Sequence, residues 1–133
     1  FLEGQGLKRG EDRNLDDNLR FFLDLAGEDA RLRALYAELI GAYPSDYVYA
    51  HRYASYLFGR GEASAALPWA QKADQLSYGA NRFAVTKVRA LILAALGRKE
   101  EAESLLQRDI KASAASFAKE AQTLREALVQ ISR

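Results

Sequence analysis

The chain predicts an all-α fold built of about three helix-turn-helix hairpins, and three observations carry that prediction. Gly27, Gly61 and Gly97 stand 34 and 36 residues apart, and each separates two apolar-striped stretches long enough to be helices. With 2 prolines in 133 residues, and Ala and Leu abundant, the composition favours helix. An apolar content of 49% with 28% charged residues is that of a globular chain of one domain rather than a disordered one.

Taken in order, residues 1–12 hold Gly4, Gly6 and Gly10 with few apolar anchors and read as a linker or flexible N-terminal segment. Residues 13–133 form the repeat domain. Asn14 or Asp16 is suited to cap the first helix, on which Leu15, Leu19, Phe22, Leu23 and Ala26 fall at helical spacing. Glu28 and Asp29 open the second, where negative charge suits the positive end of the helix dipole. Its apolar face is Leu32, Leu35, Tyr36, Leu39 and Ile40.

Pro44, Ser45 and Asp46 mark the strongest boundary, because a proline stops one helix and a short polar side chain starts the next. The helix that follows, over about 46–58, carries Tyr47, Tyr49, Tyr53 and Tyr56. Four tyrosines on one helix cannot all face inward, which makes it the best place to look for ligand contacts, with Tyr49 and Tyr53 expected to fill gaps between helices. After Gly59-Arg60-Gly61 a helix runs over about 63–77, with Pro68 near its first turn and Trp69 expected to pack. Tyr78-Gly79 ends it, and Asn81 is suited to cap the next, which runs to Leu96.

From Lys99 on, neither glycine nor proline interrupts the chain. Leu106, Ile110, Ala114, Phe117, Ala121, Leu124, Leu128 and Ile131 follow at steps of four and three, one continuous buried stripe. Either one long helix continues, or residues 113–116 turn and Ser116 caps a final helix over about 116–131. The second reading is preferred, because the last repeat must hide its open apolar face. The same stripe satisfies a coiled coil, which would allow a homodimer through the C-terminal helix.

Aligned on the three glycines, further features recur. Ala66 and Ala102 lie five residues after the second and third, and Ala54 and Ala90 seven before them. Tyr36, Ala70 and Leu106 lie nine after each, and Pro44 seventeen after the first. In this pattern the chain resembles the tetratricopeptide repeat (TPR) family, over about 13–112. The resemblance implies three TPR-like hairpins, over about 13–46, 47–82 and 83–115, stacked as a short right-handed solenoid with a C-terminal capping helix. Arg20 and Leu32 replace the expected small residues in the first hairpin, so its helices are expected to cross at a wider spacing or to form an atypical terminal unit.

Motifs for chemistry are scarce. The only histidine is His51, and there is no cysteine to join it, which excludes disulfides and thiolate metal sites. Gly4-Gln5-Gly6 lacks the third glycine and the strand of a dinucleotide site, and no P-loop, G-x-S-x-G, H-E-x-x-H or EF-hand loop occurs. The acidic pairs Asp16-Asp17 and Glu100-Glu101 sit where helices begin, so dipole effects account for them. The segment itself is therefore expected to be no enzyme and to need no cofactor or metal.

Charge and hydropathy narrow the partners. Net charge is +1, with six basic and eight acidic residues up to Arg33 and seven and six from Arg98, which is no footprint for nucleic acid or acidic lipid. The longest apolar run, Ala90 to Leu96, is far too short to span a bilayer. A soluble chain, periplasmic or cytoplasmic, without membrane insertion is expected. The chain starts at Phe1 and contains no Met, which points to a piece of a longer protein.

The first helix of each TPR hairpin lines the concave side, so the resemblance implies that Asn14, Asp17, Phe21, Val48, His51, Ser55, Lys87 and Leu91 face a shared groove for a protein or peptide. A TPR clamp for terminal carboxylates is disfavoured, because its positions hold Asp17, Phe21, Arg52, Ala84 and Val88. A second expectation is a positioning domain for an enzyme that precedes residue 1. Ala66-Leu67-Pro68-Trp69-Ala70, followed by Ser77 to Arg82, is similar to TPR tails behind thioredoxin-like domains of some exported bacterial proteins. RNA reading by helical repeats is a weaker third, since the aligned positions lack a repeated pair of base-reading residues.

Overall fold

The computed structural model describes residues 13–113 and 117–132, the side chains of 13–17 excepted. Among the described residues there are seven helices and no strand: α1 (Arg13–Leu25), α2 (Asp29–Ala42), α3 (Tyr47–Gly59), α4 (Ala63–Leu76), α5 (Asn81–Ala95), α6 (Lys99–Ala112) and α7 (Ala118–Ser132). The fold is all-α.

Three of the turns between helices are copies of one another. The amide of Gly61 donates to the Phe58 carbonyl at 3.0 Å and that of Glu62 to the Leu57 carbonyl at 2.9 Å, with Gly61 at φ 80°. This paired closure of a helix C-terminus needs one residue in the left-handed region, which glycine occupies without a steric penalty. The same two bonds recur from Gly27 to Asp24 and Glu28 to Leu23, and from Gly97 to Ala94 and Arg98 to Leu93. Leu23, Leu57 and Leu93, whose carbonyls take the long bond, are all buried, so each turn is anchored in the core. The next helix starts at once: the amides of Leu32, Ala66 and Ala102 donate to the carbonyls of Glu28, Glu62 and Arg98. A three-residue connection of this kind returns the chain beside itself, so each pair of helices runs antiparallel.

Packing follows the apolar stripes. Leu19 and Leu23 of α1 meet Leu32, Leu35, Tyr36, Leu39 and Ile40 of α2, and Tyr49 of α3 joins that cluster. Ala54 and Ala66, both fully buried, share a cluster with Leu57, Ala70 and Ile92. Ala90 and Ala102 do the same beside Leu93, Leu106 and Leu124. Alanine on both sides of a crossing lets two backbones approach closely. In the first hairpin Leu32 fills that place and is 1% exposed. Every helix packs on the next in sequence, α3 also meets α5, and α5 also meets α7.

The tyrosines of α3 form the seam to its neighbours. Tyr53 stacks on Tyr36 of α2, with centroids 5.0 Å apart and planes 19° apart, and its ring also lies 5.3 Å from Trp69 of α4. Tyr49 is fully buried against Tyr43 at 5.3 Å, and Tyr47 and Tyr56 are half-buried.

Several local expectations are corrected. Arg13 is already helical, so Asn14 and Asp16 lie inside α1 and do not precede it as caps. Asn81 is the first residue of α5, not its cap. Ala80 before it is already helical, at φ −63° and ψ −23°, and the amides of Asn81, Arg82 and Phe83 donate to the Tyr78, Gly79 and Ala80 carbonyls. With those donors taken by the turn, a side-chain cap has little left to satisfy. Pro68 is the sixth residue of α4, past its first turn. The carbonyl that its missing N–H would have served is that of Ser64, an exposed residue that water can reach. The stretch from Lys99 is two helices, with Ser113 closing α6 by donating its hydroxyl to the Ile110 carbonyl at 2.7 Å. Ser116 and the linker at 1–12 lie outside the described residues. No described helix is long and apolar enough to cross a membrane.

Candidate functional site

α3 and α5 pack side by side and carry five of the residues expected to line a groove. Val48, His51 and Ser55 are spaced by three and four along α3, and Lys87 and Leu91 by four along α5, so each set lies on one face of its helix. All five are half-buried. Phe21 is 60% exposed on α1, which among the described residues packs on α2 alone. The side chains of Asn14 and Asp17 lie outside the described set.

The protonation of His51 on this face is shifted. Its Nδ1 is buried without a hydrogen-bond partner, and its ring lies 6.3 Å from that of Tyr47. Burial disfavours the imidazolium and lowers the pKa below 6.5, and the positive charge of Arg52 adds to the shift. Below the unfolded-state pKa the unfolded chain then binds more protons than the folded one, so His51 costs stability as the pH falls. Stability is expected to decline on acidification from about pH 7 to pH 5, and His51→Gln to flatten that decline. Urea midpoints across this range provide the check; equal slopes for both proteins would contradict it.

Two polar clusters flank this face, and sequence reasoning identified neither. In the first, Arg33 of α2 donates from Nε to both carboxylate oxygens of Asp29 at 3.0 Å, and from its terminal nitrogens to both of Glu62 in the α3–α4 turn. Tyr56 of α3 donates its hydroxyl to Asp29, and Arg60 reaches the same carboxylate at 3.5 Å. The Tyr56 hydroxyl, then the Arg33 guanidinium, holds the Asp29 carboxyl below its ordinary range. Arg33 does the same for Glu62. Burial, then Asp29, pushes the Tyr56 phenol up to about 12. The cluster ties α2 to the second glycine turn.

The second cluster is more deeply buried. Asp74 of α4 is 8% exposed and accepts from Arg89 of α5, while Arg82 approaches its other oxygen at 3.4 Å. Asp109 of α6, 7% exposed, accepts from the fully buried Thr86 hydroxyl and from Arg108 Nε at 2.9 Å. Arg82 lies 3.9 Å from Asp109 as well, so one guanidinium links α4 and α6. A sequence signal did exist. Asp74 is in phase with Ala66, Ala70 and Ala73, and Asp109 with Ala102, Leu105 and Leu106, and an acid on the apolar stripe of a helix requires a buried partner.

Among the described residues no group of three His, Asp or Glu is placed to hold a metal ion. No protein-family model, curated protein or solved structure matches the chain.

Proposed function

We propose that this chain is a non-catalytic scaffold of the TPR kind, in which three hairpins stack as a short right-handed solenoid closed by α7, and that it binds an extended protein segment on the face shared by α3 and α5. The observation that carries this reading is the threefold recurrence of one turn, with the same pair of hydrogen bonds at Gly27, Gly61 and Gly97. A unit repeated in this way buries its apolar edge only against its neighbours, and a stack so built presents a long continuous surface. The contacts of α3 with α5 and of α5 with α7, which bring together the first helices of successive hairpins and the closing helix, agree with it. The chemistry of the face also suits a peptide. Lys87 and His51 offer polar contacts beside Val48 and Leu91.

The test is a nuclear magnetic resonance titration of the isotope-labelled chain with a library of extended peptides. Binders should shift the signals of Val48, His51, Ser55, Lys87 and Leu91, and Lys87→Glu should weaken them. If affinity survives that reversal unchanged, the groove reading is lost.

A further inference from the structure

None of the chain's 18 acidic residues falls on α3 or α5, helices of 13 and 15 residues, whereas every other described helix carries at least one. These are the two helices whose shared face carries the groove residues. The cations of α5 divide by side. Arg82 and Arg89 meet Asp74 of α4, and Arg82 also comes within 3.9 Å of Asp109 of α6. Lys87 stands roughly 140° round the helix from Arg82 and roughly 160° from Arg89, at about 100° per residue. Among the described residues it has neither a hydrogen bond nor an ion pair, whereas Arg52 of α3 has an interaction within the chain.

The helices packed against these two do not supply the missing charge. On α7, Glu120 and Glu126 are matched in number by Lys119 and Arg125. On α2, Asp29 is held by Arg33 and Tyr56, and Glu38 has an interaction within the chain. Asp74 of α4 is taken by Arg89. Lys87 is half-buried, so part of its hydration is already lost, and an ion pair there competes with less water than one on an open helix surface. His51 and Ser55 add groups that can donate hydrogen bonds, and neither helix holds a carboxylate to compete for them. A basic segment would meet Lys87 without any counter-charge on α3 or α5, and a neutral one would leave the ammonium unmatched. On the groove reading given above, we infer that the segment bound there is acidic: an extended stretch in which Asp or Glu side chains alternate with apolar ones, a carboxylate pairing with Lys87 while its neighbours meet Val48 and Leu91.

Three pools of short extended peptides test this, amidated at the C-terminus, alike in their apolar positions, and carrying Glu, Gln or Lys at the alternate ones. Each is titrated into the isotope-labelled chain and read at Val48, His51, Ser55, Lys87 and Leu91. The Glu pool should bind about 5-fold more tightly than the Gln pool, with the Lys pool weakest, and this preference should shrink as salt is raised. Lys87→Gln orphans no partner among the described residues, so it should bring the Glu pool to the level of the Gln pool and leave thermal unfolding unchanged. Lys87→Glu should put the Lys pool first. Equal affinity of the Glu and Gln pools overturns the inference and leaves the groove standing, and so does a Glu preference that survives Lys87→Gln. No shift at these residues with any pool removes the groove itself, and the inference with it. A single-stranded RNA that shifts the same signals and binds more tightly than the Glu pool assigns the face to nucleic acid and overturns the inference as well.

Discussion

Asp74→Ala is expected to lower the free energy of unfolding by about 3 kcal/mol. The carboxylate is 8% exposed on α4 and receives Arg89 and Arg82, both from α5. Removing it takes the paired carboxylate from Arg89, whose Nε is already buried without a partner, and leaves Arg82 with Asp109 alone at 3.9 Å. Truncating one member of a fully buried pair costs roughly 3–5 kcal/mol, because the loss is dominated by the charge left behind. The Arg89 and Arg82 side chains are 25% and 36% exposed and retain some water, which places the effect at the lower end. Asp74→Asn keeps an acceptor for Arg89 and should cost about half as much. Combining Asp74→Ala with Arg89→Met should recover most of the loss, since an apolar pair of similar volume replaces the ions. Urea unfolding at neutral pH measures all three. A loss below about 1 kcal/mol for Asp74→Ala would place the cluster in water rather than in the fold.

Leu57→Ala is expected to cost a similar amount, about 3 kcal/mol, by a different route. Leu57 is 1% exposed, sits among Ala54, Ala66, Ala70 and Ile92, and offers its carbonyl to the Glu62 amide in the central turn. The truncation removes apolar burial and leaves a cavity beside Ala54, Ala66, Ala70 and Ile92, which the larger side chains packed around that cluster can fill only by leaving their own positions. Leu57→Met, which conserves volume, should stay below about 1.5 kcal/mol. Leu25→Ala serves as the contrast. That leucine is 78% exposed near the end of α1, and its truncation should remain within about 0.5 kcal/mol. Comparable losses for Leu57 and Leu25 would show that burial does not set the scale.

These two positions show what was readable in advance. Leu57 stands four residues before Gly61, as Leu23 and Leu93 stand before Gly27 and Gly97, so its place on the apolar stripe at a helix end is legible in the sequence. Asp74 carries only half of such a signal: its phase with the apolar stripe of α4 is local, but its partners Arg82 and Arg89 belong to the next helix and only the crossing of α4 and α5 brings them to it. Asn81 failed as a cap for a local reason, since Ala80 already takes helical backbone angles and the turn carbonyls occupy the first amides. For the groove, the sequence named the helices, and the structure puts α3 beside α5 but leaves α1 against α2 alone among the described residues.

By itself the sequence determined the helices, their turns at Gly27, Gly61 and Gly97, and the stripe each helix buries. These are properties of one residue or one helical period: a positive φ that only glycine tolerates well, and apolar side chains at three- and four-residue steps. The tertiary structure alone decided which charges are buried together at Asp74 and Asp109 and which aromatic rings meet across α2, α3 and α4. Such pairings depend on the distance and rotation between packed helices, and neither quantity is written in the period of any one of them.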